Sequence, residues 1–373
     1  MLNKKLKLNT KLFTAKEEYI PTRNGFGEAL AEAGKKDERV VALCADLTES
    51  TRMHHFREAF PDRFIEVGVA EQNLVGLAAG MAEYGKIPFC ASYATFSPGR
   101  SWDQIRVSVA YGENNVKIVG AHAGISVGPD GATHQALEDI SLMRVLPNMT
   151  VLAPCDAHQA RAATLAAAKM NGPVYLRLTR EKTPVMTTAK TSFKIGKAQV
   201  MREGNDLTMV ASGPLLYEAL LAAEILAGNK KALQTLLARY PDISKNVKKS
   251  KQHGHSMERA KETIQWTPSK IEKLVKQIGT RNIEVINIHS IKPLDHATLK
   301  KSAKKTGLAM TIEEHQIHGG LRAAVAESLS LHHPTKIIPI GMPDSFGESG
   351  KPMELLEKYG MTAPWILNTL AHA

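Results

Sequence analysis

Cysteine is scarce in this chain. Cys44, Cys90 and Cys155 are spread over 373 positions, and two of them sit inside apolar, strand-like runs. That spacing excludes a disulfide framework and a cysteine zinc site, and it points to reduced thiols in a cytoplasmic protein. Long apolar runs are missing as well: none approaches the ~20 residues that span a bilayer. The opening stretch, MLNKKLKLNTKLF, is basic but has no continuous apolar segment, so no signal peptide is predicted. The chain carries a net charge of +11, yet not in the arrangement a nucleic-acid surface needs. Residues 1–16 hold five lysines and no acid, and residues 229–281 hold thirteen Lys and Arg against four acids. Taking five and nine from +11 leaves the rest of the chain at −3. The basicity therefore belongs to a tail and one segment, and nucleic acid is not an expected partner.

What is present is a regular alternation of apolar strands and helical stretches. The runs 39–45, 64–69, 87–91, 116–121, 150–153 and 174–178 read as buried strands. Helices are expected at 21–34, from Glu71 onward, at 100–111 and at 157–169. Continuously apolar strands alternating with helices predict parallel sheets covered on both faces. After 186–205, a Thr- and Lys-rich connector, the rhythm resumes with strands at 206–212, 283–288, 308–312 and 336–340. The fold class is thus α/β with two doubly wound domains, at 17–185 and 206–373. They are preceded by a basic extension, 1–16, and the second is interrupted by a basic insertion at about 229–269. That insertion, with His253 and His255, reads as a solvated excursion.

The stretch RFIEVGVAEQNLVGLAAGMAEYGKIPFCASYATFSP is the centre of the reading. It brings Glu71, at the mouth of a helix, and Tyr93 and Phe96, beyond a strand, to the same edge of a parallel sheet, where such sheets bind ligands. The strings GVAEQN and SYATF resemble the pyrimidine-binding domain of thiamine-diphosphate enzymes, transketolase in particular. INIHSIKPLD, MTIEEHQIHGGLRAAVAE and IIPIGMPDSFGESGKP resemble the C-terminal domain of the same family. The resemblance runs from about Pro21 to Leu370. It implies that Glu71 hydrogen-bonds the aminopyrimidine of thiamine diphosphate from a dry pocket. Tyr93 and Phe96 would pack that ring, and Asp46 and Leu47 would contact the cofactor across a subunit interface.

It further implies a sugar-phosphate site. Arg23, Ser50 and Arg180 match the positions that grip the phosphate, a task suited to guanidinium groups. His122 and His134 match groups that hydrogen-bond substrate hydroxyls and the carbonyl oxygen, and Asp130 matches a sugar-hydroxyl ligand. Imidazole suits proton relay there. The Gly-Asp-Gly stretch with an Asn about thirty residues on, which holds the diphosphate and its metal in this family, is missing. The expectation is one half of a split transketolase, with no metal ligand of its own and Mg2+ or Ca2+ held by the partner. That partner would be a chain carrying the diphosphate-binding domain, in an α2β2 heterotetramer. Self-association would run through the C-terminal half, with sugar phosphates as substrates.

The resemblance has departures. Gln72-Asn73 replaces the commoner Glu-His continuation, and Gly99 falls where a further ring is often seen. Deoxyxylulose-phosphate synthases share the EQ and THQ strings but show an Asp-Arg pair where this chain has Ala121-His122, which favours ketol transfer. The alternatives are a deoxyxylulose-phosphate synthase half, a 2-oxo-acid dehydrogenase β-type subunit and a non-catalytic regulatory or scaffolding protein that kept the fold. The spacing of His315 and His318 is no zinc signal without further ligands.

Overall fold

A computed structural model describes residues 1–243 and 264–373. The first part of the chain runs β1 (Tyr19–Pro21), α1 (Thr22–Lys36), β2 (Val40–Cys44), α2 (His54–Ala59), β3 (Phe64–Glu66), α3 (Glu71–Glu83) and β4 (Ile87–Tyr93). It continues through α4 (Trp102–Gln104), a π-helical turn at Ile105–Tyr111, β5 (Lys117–Ala121), α5 (Asp139–Arg144), β6 (Thr150–Leu152), α6 (Ala157–Lys169), β7 (Val174–Arg177) and β8 (Lys182–Pro184). The second part holds β9 (Gln199–Arg202), β10 (Leu207–Ala211), α7 (Leu216–Leu226), α8 (Lys230–Ile243), α9 (Pro268–Ile278), β11 (Ile283–Asn287) and β12 (Ser290–Lys292). It ends with α10 (His296–Thr306), β13 (Leu308–Gln316), α11 (Leu321–His332), β14 (Lys336–Met342), α12 (Pro352–Lys358) and α13 (Ala363–Ala371).

Two mostly parallel sheets result, as the continuously apolar strands require, beside a small antiparallel pair of β1 with β8. Every residue of β2, β5, β10 and β11 is buried. The first sheet has the order β12-β6-β7-β5-β4-β2-β3 and the second β14-β13-β10-β11-β9. All neighbours in these two sheets are parallel except β12 on β6 and β9 on β11. The architecture is therefore α/β with two doubly wound units. Local chemistry fixes the helix starts. The Asp156 side chain accepts from Gln159 N at 2.9 Å to cap α6, and it also takes the backbone amides of Met186 and Thr187. Asp295 caps α10 from Thr298 N at 3.1 Å, and Gly307 closes that helix with φ 70°, the left-handed conformation glycine adopts without penalty.

The helix α1 packs on α6 through a glycine. A Cβ added at Gly25 would lie 1.9 Å from the Ala157 carbonyl oxygen, so only the missing side chain permits the approach. Gly25→Ala is expected to destabilise the chain by about 1–3 kcal/mol, read as a lower urea midpoint with an unchanged slope; an unaltered midpoint would rule out a close α1–α6 contact.

Four segments differ from the sequence reading. The connector is not structureless: Gln199–Arg202 adds β9 to the edge of the second sheet. The basic extension is anchored on the second unit, with Asn3 Nδ2 donating to the Val200 carbonyl at 2.8 Å and Leu12 and Phe13 buried in its core. The front of the basic insertion is no solvated excursion. Ala232, Leu236 and Tyr240 recur every four residues along α8 and are buried, and the Tyr240 hydroxyl donates to Glu357 Oε2 at 2.6 Å. The basic composition of the surrounding segment had hidden an apolar stripe. His253 and His255 lie outside the described residues. Finally, Ser290–Lys292 leaves the second unit and hydrogen-bonds to β6 of the first. Lys292 Nζ is fixed there by the carbonyls of Leu146 and Arg144, at 2.5 and 3.1 Å.

Candidate functional site

The chain leaves β2 in one direction to form β3 and returns to form β4 on the other side. That reversal makes a crevice at the carboxyl ends of β2 and β4, the place where open parallel sheets bind ligands. Most of the expected residues converge there. Glu71, the first residue of α3, is 3% exposed. Ser92 Oγ, at the end of β4, donates to Glu71 Oε1 at 3.4 Å. Tyr93 and Phe96 lie with centroids 6.0 Å apart and planes 26° from parallel. The His122 ring is 4.0 Å from Tyr93, and His134 stands edge-on to Phe96 at 5.2 Å.

A residue absent from the sequence reading completes this corner. Arg100 Nη1 donates to Glu71 Oε2 at 3.0 Å, and its guanidinium lies 4.3 Å from the centre of the Phe96 ring. The carboxylate is buried, and in addition it faces a half-exposed cation. The signal available in sequence was a lone arginine beyond the aromatic pair, and only the turn at 94–101 brings it back to Glu71.

Next to the aromatic corner is a cluster of cations. Arg23 Nη1, on α1, donates to the Ser50 carbonyl at 2.8 Å and to His122 Nε2 at 3.3 Å. A guanidinium can only donate, so Nε2 accepts and the imidazole proton sits on Nδ1, which is buried without a partner. Arg180, three residues past β7, pairs with Asp130 at 3.1 Å and donates to the Val127 carbonyl at 2.9 Å. Arg23, Ser50, His122, Asp130, His134 and Arg180 thus share one edge with Glu71, Tyr93 and Phe96. Asp46 and Leu47 follow the end of β2 one strand away. The Asp46 amide donates to Glu66 Oε1 at 2.6 Å, and Leu47 packs on the core around α1. No hydrogen bond among the described residues links either of them to Glu71. No three His, Cys, Asp or Glu side chains come together as a metal-binding group among the described residues.

Burial, with the cations Arg23 and Arg180 adding to it, drives the His122 pKa from 6.5 down to about 3. The ring is neutral at neutral pH. The folded chain refuses a proton that the unfolded chain accepts, so this contribution to stability is full above pH 6.5 and is lost as pH falls toward 3. His122→Asn is expected to reduce the fall in urea midpoint between pH 7 and pH 4.5; an unchanged fall would mean that His122 is charged in the fold.

The same arrangement of sequence and fold recurs in known proteins. Residues 18–186 match the transketolase pyrimidine-binding domain, and residues 269–366 match the transketolase C-terminal domain. The 6-deoxy-6-sulfo-D-fructose transketolase subunit of a Clostridium species is 38% identical, covering 95% of each chain. The chain belongs to the transketolase family. A further member, an apulose-4-phosphate transketolase subunit from Phocaeicola vulgatus, is 32% identical over 94% of this chain and 96% of that one. Among solved structures, a split-gene transketolase described as an inactive beta4 tetramer is 39% identical, with a TM-score of 0.76, covering 95% of this chain and 98% of that one. Transketolase here comes as a split subunit carrying the pyrimidine-binding and C-terminal domains of a thiamine-diphosphate enzyme. No described helix is long and apolar enough to cross a membrane.

Proposed function

We propose that this chain is the pyrimidine-binding subunit of a transketolase that moves a two-carbon ketol unit from a ketose phosphate to an aldose phosphate. The observation that carries the reading is the shared edge: Glu71 with two aromatic rings at one end, and Arg23, Arg180, His122 and His134 beside them. The donor set fits the pyrimidine half of thiamine diphosphate, a carboxylate for a ring nitrogen and flat faces for a flat ring. The Gly-Asp-Gly stretch that holds the diphosphate and its metal in this family is missing from the sequence, which is why Mg2+ or Ca2+ and the diphosphate are assigned to a partner chain. When bound, thiamine diphosphate supplies the electron sink that carbon–carbon cleavage beside a carbonyl requires.

The chain's own residues have distinct tasks. Glu71 holds a proton at the pyrimidine nitrogen through a carboxylate oxygen, which requires Arg100 to share or yield that oxygen. Tyr93 and Phe96 orient the ring. His122, kept neutral, offers its unpaired Nδ1–H to a substrate oxygen, and His134 serves the same end of the substrate. Arg23 and Arg180 hold the phosphate, with Ser50 beside them, and Asp130 takes a sugar hydroxyl. Asp46 and Leu47 meet the cofactor where the partner closes the crevice. A pocket with one wall on each chain calls for pairing of the two kinds of chain, and the assembly we propose is α2β2. His122 at the end of β5 favours ketol transfer over the deoxyxylulose-phosphate reaction. The test is reconstitution. The chain is mixed with the diphosphate-domain partner, thiamine diphosphate, Mg2+, xylulose 5-phosphate and ribose 5-phosphate. Sedoheptulose 7-phosphate is expected only from the complete mixture; its absence from an assembled, cofactor-loaded complex would reject the reading.

A further inference from the structure

Apart from Arg100, which pairs with Glu71, three guanidinium groups gather at the crevice, and among the described residues only one of these three has a carboxylate in a close pair. Arg180 faces Asp130 at 3.1 Å, with Glu181 farther off at 3.8 Å. Arg23 is held by neutral acceptors alone, and its Nε is buried without a partner. The third is Arg52, from the loop after β2. Its Nε donates to Asn24 Oδ1 on α1 at 2.9 Å. No partner for its two terminal nitrogens is found among the described residues.

Backbone features hold Arg52 in place. Its φ is 66°, in the left-handed region that side chains other than glycine and asparagine rarely adopt. It also lies against Gly27, where an added Cβ would meet the Arg52 carbonyl oxygen at 2.5 Å and its Cβ at 2.6 Å. Asn24 and Gly27, one turn apart on α1, thus seat the loop and anchor the guanidinium on the same helix as Arg23. Electrostatics agree: after burial, Arg52 is the strongest influence lowering the Arg23 pKa, ahead of Arg180. Like charges gathered this way repel one another unless an anion resolves them.

We propose that Arg52 makes this anion site selective for a dianionic substrate terminus, a phosphate monoester, over a monoanionic one of the same shape, a sulfonate. The inference rests on the sugar-phosphate reading above. Its basis is charge matching. With Asp130 set against Arg180, Arg23 and Arg52 contribute two positive charges. A phosphate monoester above its second pKa carries close to two negative charges, whereas a sulfonate carries one. Without Arg52 a single unmatched cation remains, and the dianion loses its advantage.

The test compares fructose 6-phosphate with 6-deoxy-6-sulfofructose as donors to the reconstituted holoenzyme at pH 8, with unphosphorylated glycolaldehyde as the common acceptor. Arg52→Met is expected to lower kcat/KM for the phosphate donor about 10- to 100-fold, the usual cost of one charged hydrogen bond, mostly through KM. The sulfonate donor should lose less than about threefold, and Arg52→Lys should restore much of the preference. Equal losses for both donors would mark Arg52 as structural, and a loss below about threefold for the phosphate donor would remove it from the site; either result overturns the inference. A wild-type complex that turns over neither donor would count against the ketose reading instead. The inference then stands or falls on calorimetry of methyl phosphate and methanesulfonate with the full chain. Tighter phosphate binding that disappears in Arg52→Met supports it, and equal binding of the two anions to the wild-type chain overturns it.

Discussion

Replacing Glu71 with alanine is expected to cut sedoheptulose 7-phosphate formation by the reconstituted complex about 10²- to 10⁴-fold, the range typical of losing a positioned proton-transfer group. Glu71→Gln, which keeps the shape but cannot hold a negative charge, should fall nearly as far. The fold should survive. Glu71 is buried at a helix start, but its partner Arg100 is 53% exposed and can return to water, and Ser92 donates only a long hydrogen bond. A stability loss within about 1 kcal/mol is expected, as for ion pairs with one solvated member. Wild-type turnover in a well-folded Glu71→Ala complex would remove the carboxylate from the mechanism.

The largest effect on stability is expected from Asp139. Its carboxylate is almost fully buried, and it receives Arg177 Nε at 2.8 Å, Arg177 Nη2 at 3.2 Å and the Tyr175 hydroxyl at 2.7 Å. Arg177 in turn donates to the carbonyl of Glu314 in β13, at 2.8 Å, so the pair joins the two sheets. Asp139→Ala leaves a guanidinium buried without its counter-charge, which costs about 3–5 kcal/mol. Replacing both residues with well-packed apolar side chains should cost much less, because no isolated charge is left behind. Chemical denaturation of the single and double variants decides the matter. A single variant less than about 1 kcal/mol below wild type would show that water reaches Arg177.

What could be read from the sequence follows from how local each signal is. The strands were legible because β2, β5, β10 and β11 are buried on both faces and so are apolar throughout. Glu71, Tyr93, Phe96 and His122 were legible because each lies at a strand end or the helix start beyond it, where a short string marks the position. Arg100 was not, since its meaning comes from Glu71, which is 29 positions away. Arg52 was hidden for a similar reason. Its partner Asn24 is on a different element, and the glycine that admits it, Gly27, carries no mark of its purpose. The helix α8 was lost to composition, as the basic character of the whole 229–281 segment outweighed three buried residues spaced four apart. A three-residue strand such as β12, with a proline next to it, has too little pattern to be seen at all.

That short strand also bears on how the polypeptide can be divided. A fragment ended at the connector would lack Ser290–Lys292, and β6 would then present a row of bare amides and carbonyls along its rim. Naked rims of this kind recruit copies of themselves. The first unit cannot be expected to behave as an independent module, because three residues from far along the chain serve as its selvedge.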